Sequence, residues 1–213
     1  MYRFFTFAII VLFIIPNIFA KKKRPKTGEI KSGVYTDTKY DFKLDLPENW
    51  NAKTQKPKSN QRLYLSQKDH KIPDDLTTAK KFAKVPEAGV YIDEVTLKLG
   101  EFVDSLLSES YESDFKNDIF SKLDVLDENI TFDGLRTDNR KSLKINGKSA
   151  VQWIGKAKYT FKFGAEVRTR SYRILCIAVK KDNLMLLLLA RCEVQFSTEV
   201  FGELIKMSNS LIW

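Results

Sequence analysis

The sequence of 213 residues has little of the chemistry that catalysis and metal binding need, because it contains one histidine and two cysteines. Structural zinc sites use clustered cysteine and histidine ligands, and neither a Cys-x-x-Cys motif nor a histidine pair occurs. His70 lies in a polar stretch without an identifiable nucleophile or orienting acid, which is typical of a surface loop. Gly28, Gly33 and Gly89 stand alone, so no glycine-rich phosphate-binding loop is predicted. The sequence therefore predicts no catalytic residue, metal or cofactor, and a protein that is not an enzyme.

The first twenty residues have the layout of an export signal. Arg3 precedes an uncharged apolar run at residues 4–15, and Ala20 is a small residue suited to cleavage. We predict a signal peptide over residues 1–20, cleavage near Ala20 and a periplasmic or extracellular location. The sequence Lys-Lys-Lys-Arg at residues 21–24 is more positive than the start of the chain and favours the opposite orientation in a membrane. The alternative is an uncleaved segment that anchors the protein and gives it a membrane contact.

More than half of the formal net charge of +9 lies near the start of the chain. Residues 21–31 carry six cations and one anion. We predict a basic, disordered linker over residues 21–33, followed by a single domain over residues 34–213. The alternative role for this basic segment is a tether to anionic lipid or to another polyanion.

The spacing of the two cysteines argues against a disulfide, although exported proteins commonly contain them. Two apolar strands flank Asp182-Asn183, residues that tolerate the left-handed backbone of a tight turn. A two-residue turn puts Cys176 opposite Leu189 and Cys192 opposite Arg173, with the sulfur atoms on different faces. A three-residue turn leaves them roughly 13 Å apart at ~3.3 Å per residue, whereas a disulfide needs Cα atoms within about 7 Å. We predict two unpaired, largely buried thiols.

Hydrophobic periodicity predicts both strands and helices. Apolar residues at alternate positions, or short apolar stretches, indicate strands at residues 40–46, 62–67 and 90–97. Apolar residues at steps of three and four predict an amphipathic helix over residues 102–119. A second helix is predicted to open at Ser197, a residue type that caps helix N-termini.

Long antiparallel strands are predicted for the second half of the chain. Asn146-Gly147 is a strong signal for a two-residue hairpin turn, and strands follow at residues 148–163, 167–179 and 184–192. Residues 184–190 are apolar on both faces, which is typical of a sheet covered on both sides. The predicted fold class is α/β (α+β): a single antiparallel-rich sheet in a sandwich, with helices on both faces.

One strand pair carries a concentration of positive charge. A three-residue turn at Gly164 would place Lys162 opposite Arg168 and Lys158 opposite Tyr172, which would cluster five cations beside a tyrosine. A solvated sheet edge protected from aggregation by charge is one interpretation. The functional alternative is a surface that docks an anionic protein or envelope component, while nucleic acid is not expected for an exported chain. The candidate residues are Lys156, Lys158, Lys162, Arg168 and Arg170.

Three segments resemble the PsbP-like domains, a superfamily that includes the photosystem PsbP proteins and the Ran-binding Mog proteins. Residues 40–50 (YDFKLDLPENW) resemble the opening strand, residues 143–151 (LKINGKSAV) the hairpin after the first long helix, and residues 201–211 the closing helix. The resemblance covers roughly residues 35–213. It implies an α/β/α sandwich that acts as an accessory or binding module, with no shared catalytic residues.

The leading functional hypothesis is an exported, non-enzymatic accessory domain that docks a protein or an anionic envelope partner. A first alternative is a carrier of a small apolar ligand, held between the sheet and a helix and lined by Trp153, Tyr159 and Phe161. A second alternative is a hydrolase that only activity screening would reveal. A membrane-anchored form of the leading hypothesis would retain residues 1–20.

Overall fold

Antiparallel strand pairing organises the computed structural model of the chain, which describes residues 28–107, 130–131 and 140–213. The strands are β1 (Gly28–Lys31), β2 (Val34–Asp37), β3 (Phe42–Asp45), β4 (Trp50–Thr54), β5 (Gln61–Gln67), β6 (Glu87–Glu94), β7 (Ile130–Thr131), β8 (Lys141–Ile145), β9 (Lys148–Phe163), β10 (Glu166–Lys181) and β11 (Leu184–Glu193). The helices are α1 (Leu99–Leu107) and α2 (Ser197–Asn209), with 3-10 turns at Asp74–Leu76, Lys80–Phe82 and Val194–Phe196.

Eight of these strands form the main sheet, in the order β4-β5-β6-β11-β10-β9-β7, with β8 also paired to β9. β1, β2 and β3 form a separate three-stranded sheet. Every pairing is antiparallel. The prediction of one large antiparallel sheet is confirmed, and the described chain has an α+β fold rather than a sandwich.

The pairing of β10 with β11 has the predicted register. Lys181 lies opposite Leu184 across a two-residue turn, in which Asp182 has a φ of 52°. Cys176 consequently faces Leu189, and Cys192 faces Arg173. The two cysteines belong to different hydrophobic clusters on opposite faces of the sheet, and both are buried free thiols, as predicted.

Both thiols are expected to be unreactive in the folded protein. Burial raises the pKa of Cys192 to about 12 and raises the pKa of Cys176 well above its usual value. Because the thiolate is the reactive form, a thiol reagent at about pH 8 should modify neither cysteine in the folded protein and both in denaturant. Mass spectrometry after alkylation with and without denaturant measures this difference. If neither cysteine were alkylated in denaturant, the two would be joined in a disulfide, and the register would be contradicted.

The two faces of the main sheet carry separate hydrophobic clusters. The first contains the α2 residues Val200, Phe201 and Leu204 together with alternate residues of β10 and β11. The second contains the α1 residues Phe102 and Val103 with the intervening strand residues. β11 is buried on both faces because its neighbours β6 and β10 continue both clusters. The helix predicted over residues 102–119 is described only to Leu107, so helical cover of both faces stays a prediction.

The three-stranded sheet includes part of the predicted linker. Gly28 faces Asp37 and Ile30 faces Tyr35, so residues 28–31 form a strand instead of a disordered segment. The linker prediction is wrong for residues 28–33, because Ile30 packs against the first hydrophobic cluster and the short turn at Gly33, with a φ of 77°, returns the chain to pair with itself. The rest of the linker and the predicted signal peptide lie outside the described residues.

A buried ion pair fixes the three-stranded sheet to the main sheet. Arg62 of β5 donates from Nε to Asp37 Oδ2 at 2.8 Å and from Nη2 to Asp37 Oδ1 at 3.3 Å. Each of the two residues is 1% exposed. The Tyr35 hydroxyl donates to Asp37 Oδ2 at 2.8 Å, and the amides of Lys39 and Tyr40 donate to Asp37 Oδ1. The carboxylate is therefore surrounded by donors, as a buried charge requires.

The remaining turn and helix signals have mixed outcomes. Asn146 and Gly147 have positive φ values of 46° and 81° and form the predicted turn between β8 and β9. The sequence Gly147-Lys148-Ser149 therefore belongs to a β-hairpin. In a phosphate-binding loop, a Gly-Lys-Ser sequence leads into a helix instead. α2 begins at Ser197, but this residue is not the cap, because its hydroxyl donates to the Val194 carbonyl oxygen at 2.7 Å.

Within the described ranges, no helix is long and apolar enough to cross a membrane.

Candidate functional site

The strand pair with the predicted basic cluster has a different register from the expected one. The turn between β9 and β10 contains two residues, Gly164 and Ala165, so that Phe163 faces Glu166 and Lys162 faces Val167. Gly164 adopts a φ of 62°, as this tight turn requires. The predicted three-residue turn is wrong, because a Gly-Ala pair is sufficient to reverse these strands.

This shift by one residue separates the five predicted cations. Residues that face each other across an antiparallel pair share a face, and neighbours along a strand alternate. Lys156 faces Arg173, Lys158 faces Ser171 and Lys162 faces Val167. Arg168 instead faces Phe161, and Arg170 faces Tyr159, on the opposite side. The structure brings together the three lysines but not the two arginines, and it adds Arg173, which the sequence did not single out.

The two arginines make ion pairs within the protein. Arg168 donates to Glu166 Oε2 from Nε at 3.1 Å and from Nη2 at 3.0 Å, and its guanidinium lies 4.3 Å from the centre of the Phe163 ring. Arg170 donates from Nη1 to Asp75 Oδ2 at 2.7 Å and from Nε to Glu193 Oε1 at 3.1 Å. These contacts hold the 3-10 turn at Asp74–Leu76 against the sheet. Neither arginine is available to the predicted anionic partner in this arrangement.

A chain of charged residues continues along the same face at the end of the main sheet. Glu193 is 3% exposed and accepts from Arg170, and Arg191 donates to Glu87 Oε2 at 2.7 Å. The Tyr64 hydroxyl donates to Glu87 Oε1 at 2.6 Å. Burial, followed by the nearby Glu87 carboxylate, raises the pKa of Tyr64 well above its usual value. The sequence signal for this network is the set of charged residues directly after the apolar run of β11, which hydrophobic periodicity does not detect.

His70 lies beside this network, in the loop after β5, and is only partly exposed. Its ring packs edge-on against Phe196, with the ring centres 4.9 Å apart. Among the described residues, its buried Nε2 atom has no hydrogen-bond partner. Burial lowers the pKa of His70 below 6.5, and the negative charge of Glu193 opposes this shift only in part. A neutral imidazole is therefore the stable form in the folded protein near neutral pH.

We expect His70 to make the folded protein less stable in mild acid. Below about pH 6.5 the imidazole takes up a proton in the unfolded chain, and the folded chain binds this proton more weakly. The free energy of unfolding therefore falls as the pH falls from about 7 to about 5. His70→Gln should flatten this part of the pH profile. Urea denaturation of both proteins at a series of pH values measures the difference. Identical pH slopes for the two proteins would show that His70 does not contribute.

The lysine face, which we define as Lys156, Lys158 and Lys162 of β9 with Arg173 of β10, has different surroundings. The three lysines are exposed, and Arg173 is half-buried. No carboxylate in the described part of the chain forms an ion pair with Lys156, Lys162 or Arg173. Between the lysines, the hydroxyls of Thr160 and Thr169 are 3.1 Å apart and hydrogen-bonded. The face thus combines cations and hydroxyls along one exposed strand pair.

The predicted site for an apolar ligand is filled by the protein itself. Trp153 and Phe161 are 3% and 4% exposed within the second hydrophobic cluster. Phe82 stacks on Phe161 with a distance of 4.3 Å between the ring centres, and it also contacts the edge of Phe163. The Tyr159 side chain lies outside the described residues. The space over Phe161 that would hold a ligand is therefore occupied by an aromatic ring.

The described residues contain no group of three histidine, cysteine, aspartate or glutamate residues that could hold a metal ion. The carboxylates near the arginines all accept from cations or from a tyrosine, as described above. This arrangement suits structural ion pairs. Within the predicted site, Lys156 and Lys162 are exposed and form no ion pair with a described carboxylate.

Comparison with known proteins gives similarity at the level of the fold. No family model matches the chain, and no curated protein matches its sequence. The cyanobacterial PsbP (CyanoP) of Synechocystis sp. PCC 6803 is similar with a TM-score of 0.48 and 12% identity, over 88% of this chain and 97% of that chain. LpqN of Mycobacterium tuberculosis, described as involved in cell envelope biogenesis, has a TM-score of 0.45 and 8% identity, over 80% of this chain and 82% of that chain.

A third similar structure is a protein from Bacteroides thetaiotaomicron, with a TM-score of 0.38 and 12% identity, over 80% of this chain and 44% of that chain. One of these solved structures is a PsbP protein, a member of the superfamily that the sequence resemblance named. At these levels of identity the likeness concerns the fold, and the site must be interpreted from its own residues.

Proposed function

We propose that this chain is an exported, non-enzymatic binding domain that docks an anionic partner of the cell envelope through the lysine face. The observation that carries the proposal is the row of three exposed lysines joined by Arg173, in which Lys156, Lys162 and Arg173 have no ion pair to a described carboxylate. The layout of residues 1–20 supports export. If residues 1–20 are retained, the same face would work from a membrane-anchored position.

The charge pattern of the strand pair favours a partner over a purely solvated surface. Alternate residues on a strand are about 7 Å apart, so Lys156 lies beside Lys158 and also faces Arg173, while Thr160 separates Lys158 from Lys162. Like charges in such positions repel one another and weaken the sheet slightly. The exposed face of β3, by contrast, mixes the two signs at Lys43 and Asp45. An anionic partner would remove the repulsion and gain several charge-assisted contacts at once.

We expect the triple substitution Lys156→Gln, Lys158→Gln and Lys162→Gln to weaken binding to dextran sulfate, which serves as a soluble model of an anionic envelope polymer. Each exposed ion pair contributes roughly a twofold to fivefold factor in affinity, so the loss of three should weaken binding about tenfold or more. The effect should shrink as salt is added, because exposed charges are screened. Isothermal titration calorimetry at low and high salt measures both quantities.

The matched control replaces Lys43, Lys53 and Lys144 with glutamine. These lysines are also exposed strand residues, and their replacement removes the same charge at other places on the surface. The control should bind dextran sulfate within about twofold of the unmodified protein, because its lysine face is intact. Equal losses in the two triple variants would mean that only the total charge matters, and the proposal would then be abandoned.

A further inference from the structure

We infer that the anionic partner of the lysine face is the surface of a lipid bilayer, which the end of the β9–β10 hairpin touches; this inference rests on the proposed function. The hairpin end combines two properties that suit a membrane interface. Val167 is 66% exposed and shares a face with Lys162. Ala165 in the adjoining turn is also exposed. Proteins that lie on membranes combine an apolar contact with cations that reach the headgroups.

The end of the β9–β10 hairpin extends beyond the neighbouring strand β11. β11 pairs with β10 from Tyr172 onward, so the six residues from Glu166 to Ser171 extend beyond β11. At about 3.3 Å per residue, this extension is about 20 Å long. β7 pairs with β9 only at Tyr159 and Lys158. Among the described strands, the last part of the hairpin therefore pairs only with itself. Its lysine face is exposed, whereas Phe82 and the 3-10 turn at Asp74–Leu76 pack on the opposite face.

The composition of the lysine face favours a bilayer over a folded acidic protein. Protein interfaces are centred on aromatic and arginine anchors in pockets, and lysine is depleted from them. From Lys156 to Lys162 of β9 and from Val167 to Arg173 of β10, the side chains of this face are lysine, threonine, serine, arginine and one valine. Mobile lipid headgroups can arrange themselves around a straight row of cations, whereas a folded protein would need carboxylates at matching fixed positions. Lysines close to an anionic leaflet each strengthen binding by about fivefold.

The first measurement is co-sedimentation of the full chain with vesicles of phosphatidylcholine alone and of phosphatidylcholine mixed with phosphatidylglycerol. The unmodified protein should bind the mixed vesicles more tightly than the neutral ones. The triple variant that replaces Lys156, Lys158 and Lys162 with glutamine should bind the mixed vesicles about a hundredfold more weakly than the unmodified protein, since three lysines are lost. The Lys43, Lys53 and Lys144 control should keep the binding. Because both triple variants retain residues 1–31, any contribution of that segment cancels in their comparison.

A second variant, Val167→Ser, separates the bilayer from other anions. The substitution is at an exposed residue, so the fold should be unaffected. It removes the apolar contact and should weaken vesicle binding by about twofold to fivefold, while binding to dextran sulfate should not change. If vesicle binding does not change either, the hairpin end does not enter the interface and that part of the inference is wrong.

The outcomes distinguish this inference from the proposed function. Binding to mixed vesicles that depends on the lysine face supports both. Binding to dextran sulfate through the lysine face without binding to vesicles overturns the bilayer inference and leaves the proposed function in place. Vesicle binding that falls equally in the two triple variants also overturns the inference, because the position of the lysines would then have no effect. Failure to bind either probe through the lysine face overturns both.

Discussion

Replacing Arg62 with alanine is expected to lower the free energy of unfolding by about 3–5 kcal/mol, because the substitution leaves the buried Asp37 carboxylate without its cation. Asp37 and Arg62 are each 1% exposed, so water cannot take the place of the lost partner without opening the structure. Arg62 also donates to the carbonyl oxygens of Ser59 and Pro57, at 3.4 and 3.5 Å. The loss should therefore loosen both the three-stranded sheet and the turn before β5.

Denaturation in urea, followed by circular dichroism, measures this loss of stability. Glu29→Ala is a suitable control, because the ion pair between Glu29 and Lys31 is exposed and contributes little. The double variant Asp37→Ala with Arg62→Ala should be more stable than the sum of the two single effects predicts, since it leaves no unpaired buried charge. A change below about 1 kcal/mol in Arg62→Ala would contradict the buried ion pair.

Phe201→Ala in α2 is expected to destabilise the protein by a similar amount, about 3–5 kcal/mol. Phe201 is 4% exposed and belongs to the cluster in which α2 packs on the sheet. Removing the ring takes away buried apolar surface and leaves a cavity that a rigid sheet cannot fill. Leu204, one turn later, is fully buried in the same cluster and cannot shift to fill this cavity.

The control for this prediction is Glu199→Ala on the same helix. Glu199 is exposed and in the first turn, so its replacement should change the free energy of unfolding by about 0.5 kcal/mol or less. Thermal and urea denaturation of both variants give the comparison. Equal stability of Phe201→Ala and Glu199→Ala would mean that α2 does not pack on the sheet through Phe201.

The parts of the fold that local sequence signals determine were predictable. Asp182-Asn183 and Asn146-Gly147 are turn sequences with a strong preference for two-residue hairpins, and the registers of the strands they join follow from them. Apolar residues at steps of three and four located α1 for the same reason, and Leu99–Leu107 is its described part. In each case the information lies within a few residues, and tertiary contacts do not alter the result.

The strand pair at Gly164 shows where this reasoning fails. A single glycine before Ala165 is compatible with turns of two or three residues, and the choice decides which face each cation occupies. The sequence therefore identified the correct strands and the correct lysines but combined them with Arg168 and Arg170, which lie on the other face. A one-residue difference in a turn changed the composition of the candidate site.

The missed features depend on contacts between distant segments. β1 and β2 contain four residues each, which is too short for a clear alternation. The Asp37–Arg62 pair joins two sheets, and the Arg170–Glu193 contact joins a strand to the end of its neighbour. Such pairs form only when the fold brings the two segments together, and each pairing offsets the cost of burying the charges. No spacing rule in the sequence selects them from the many other pairs of charged residues.

The position of β11 at the centre of the main sheet also affects the timing of folding. β6 pairs with β11, as at Ile92 and Leu186, although the two strands are almost a hundred residues apart in the sequence. In a chain that is synthesised or threaded through a membrane from its N-terminus, β5 can pair with one edge of β6, but the other edge has no partner until β11 emerges. The central sheet can therefore close only late, and before that stage one edge of β6 is unpaired.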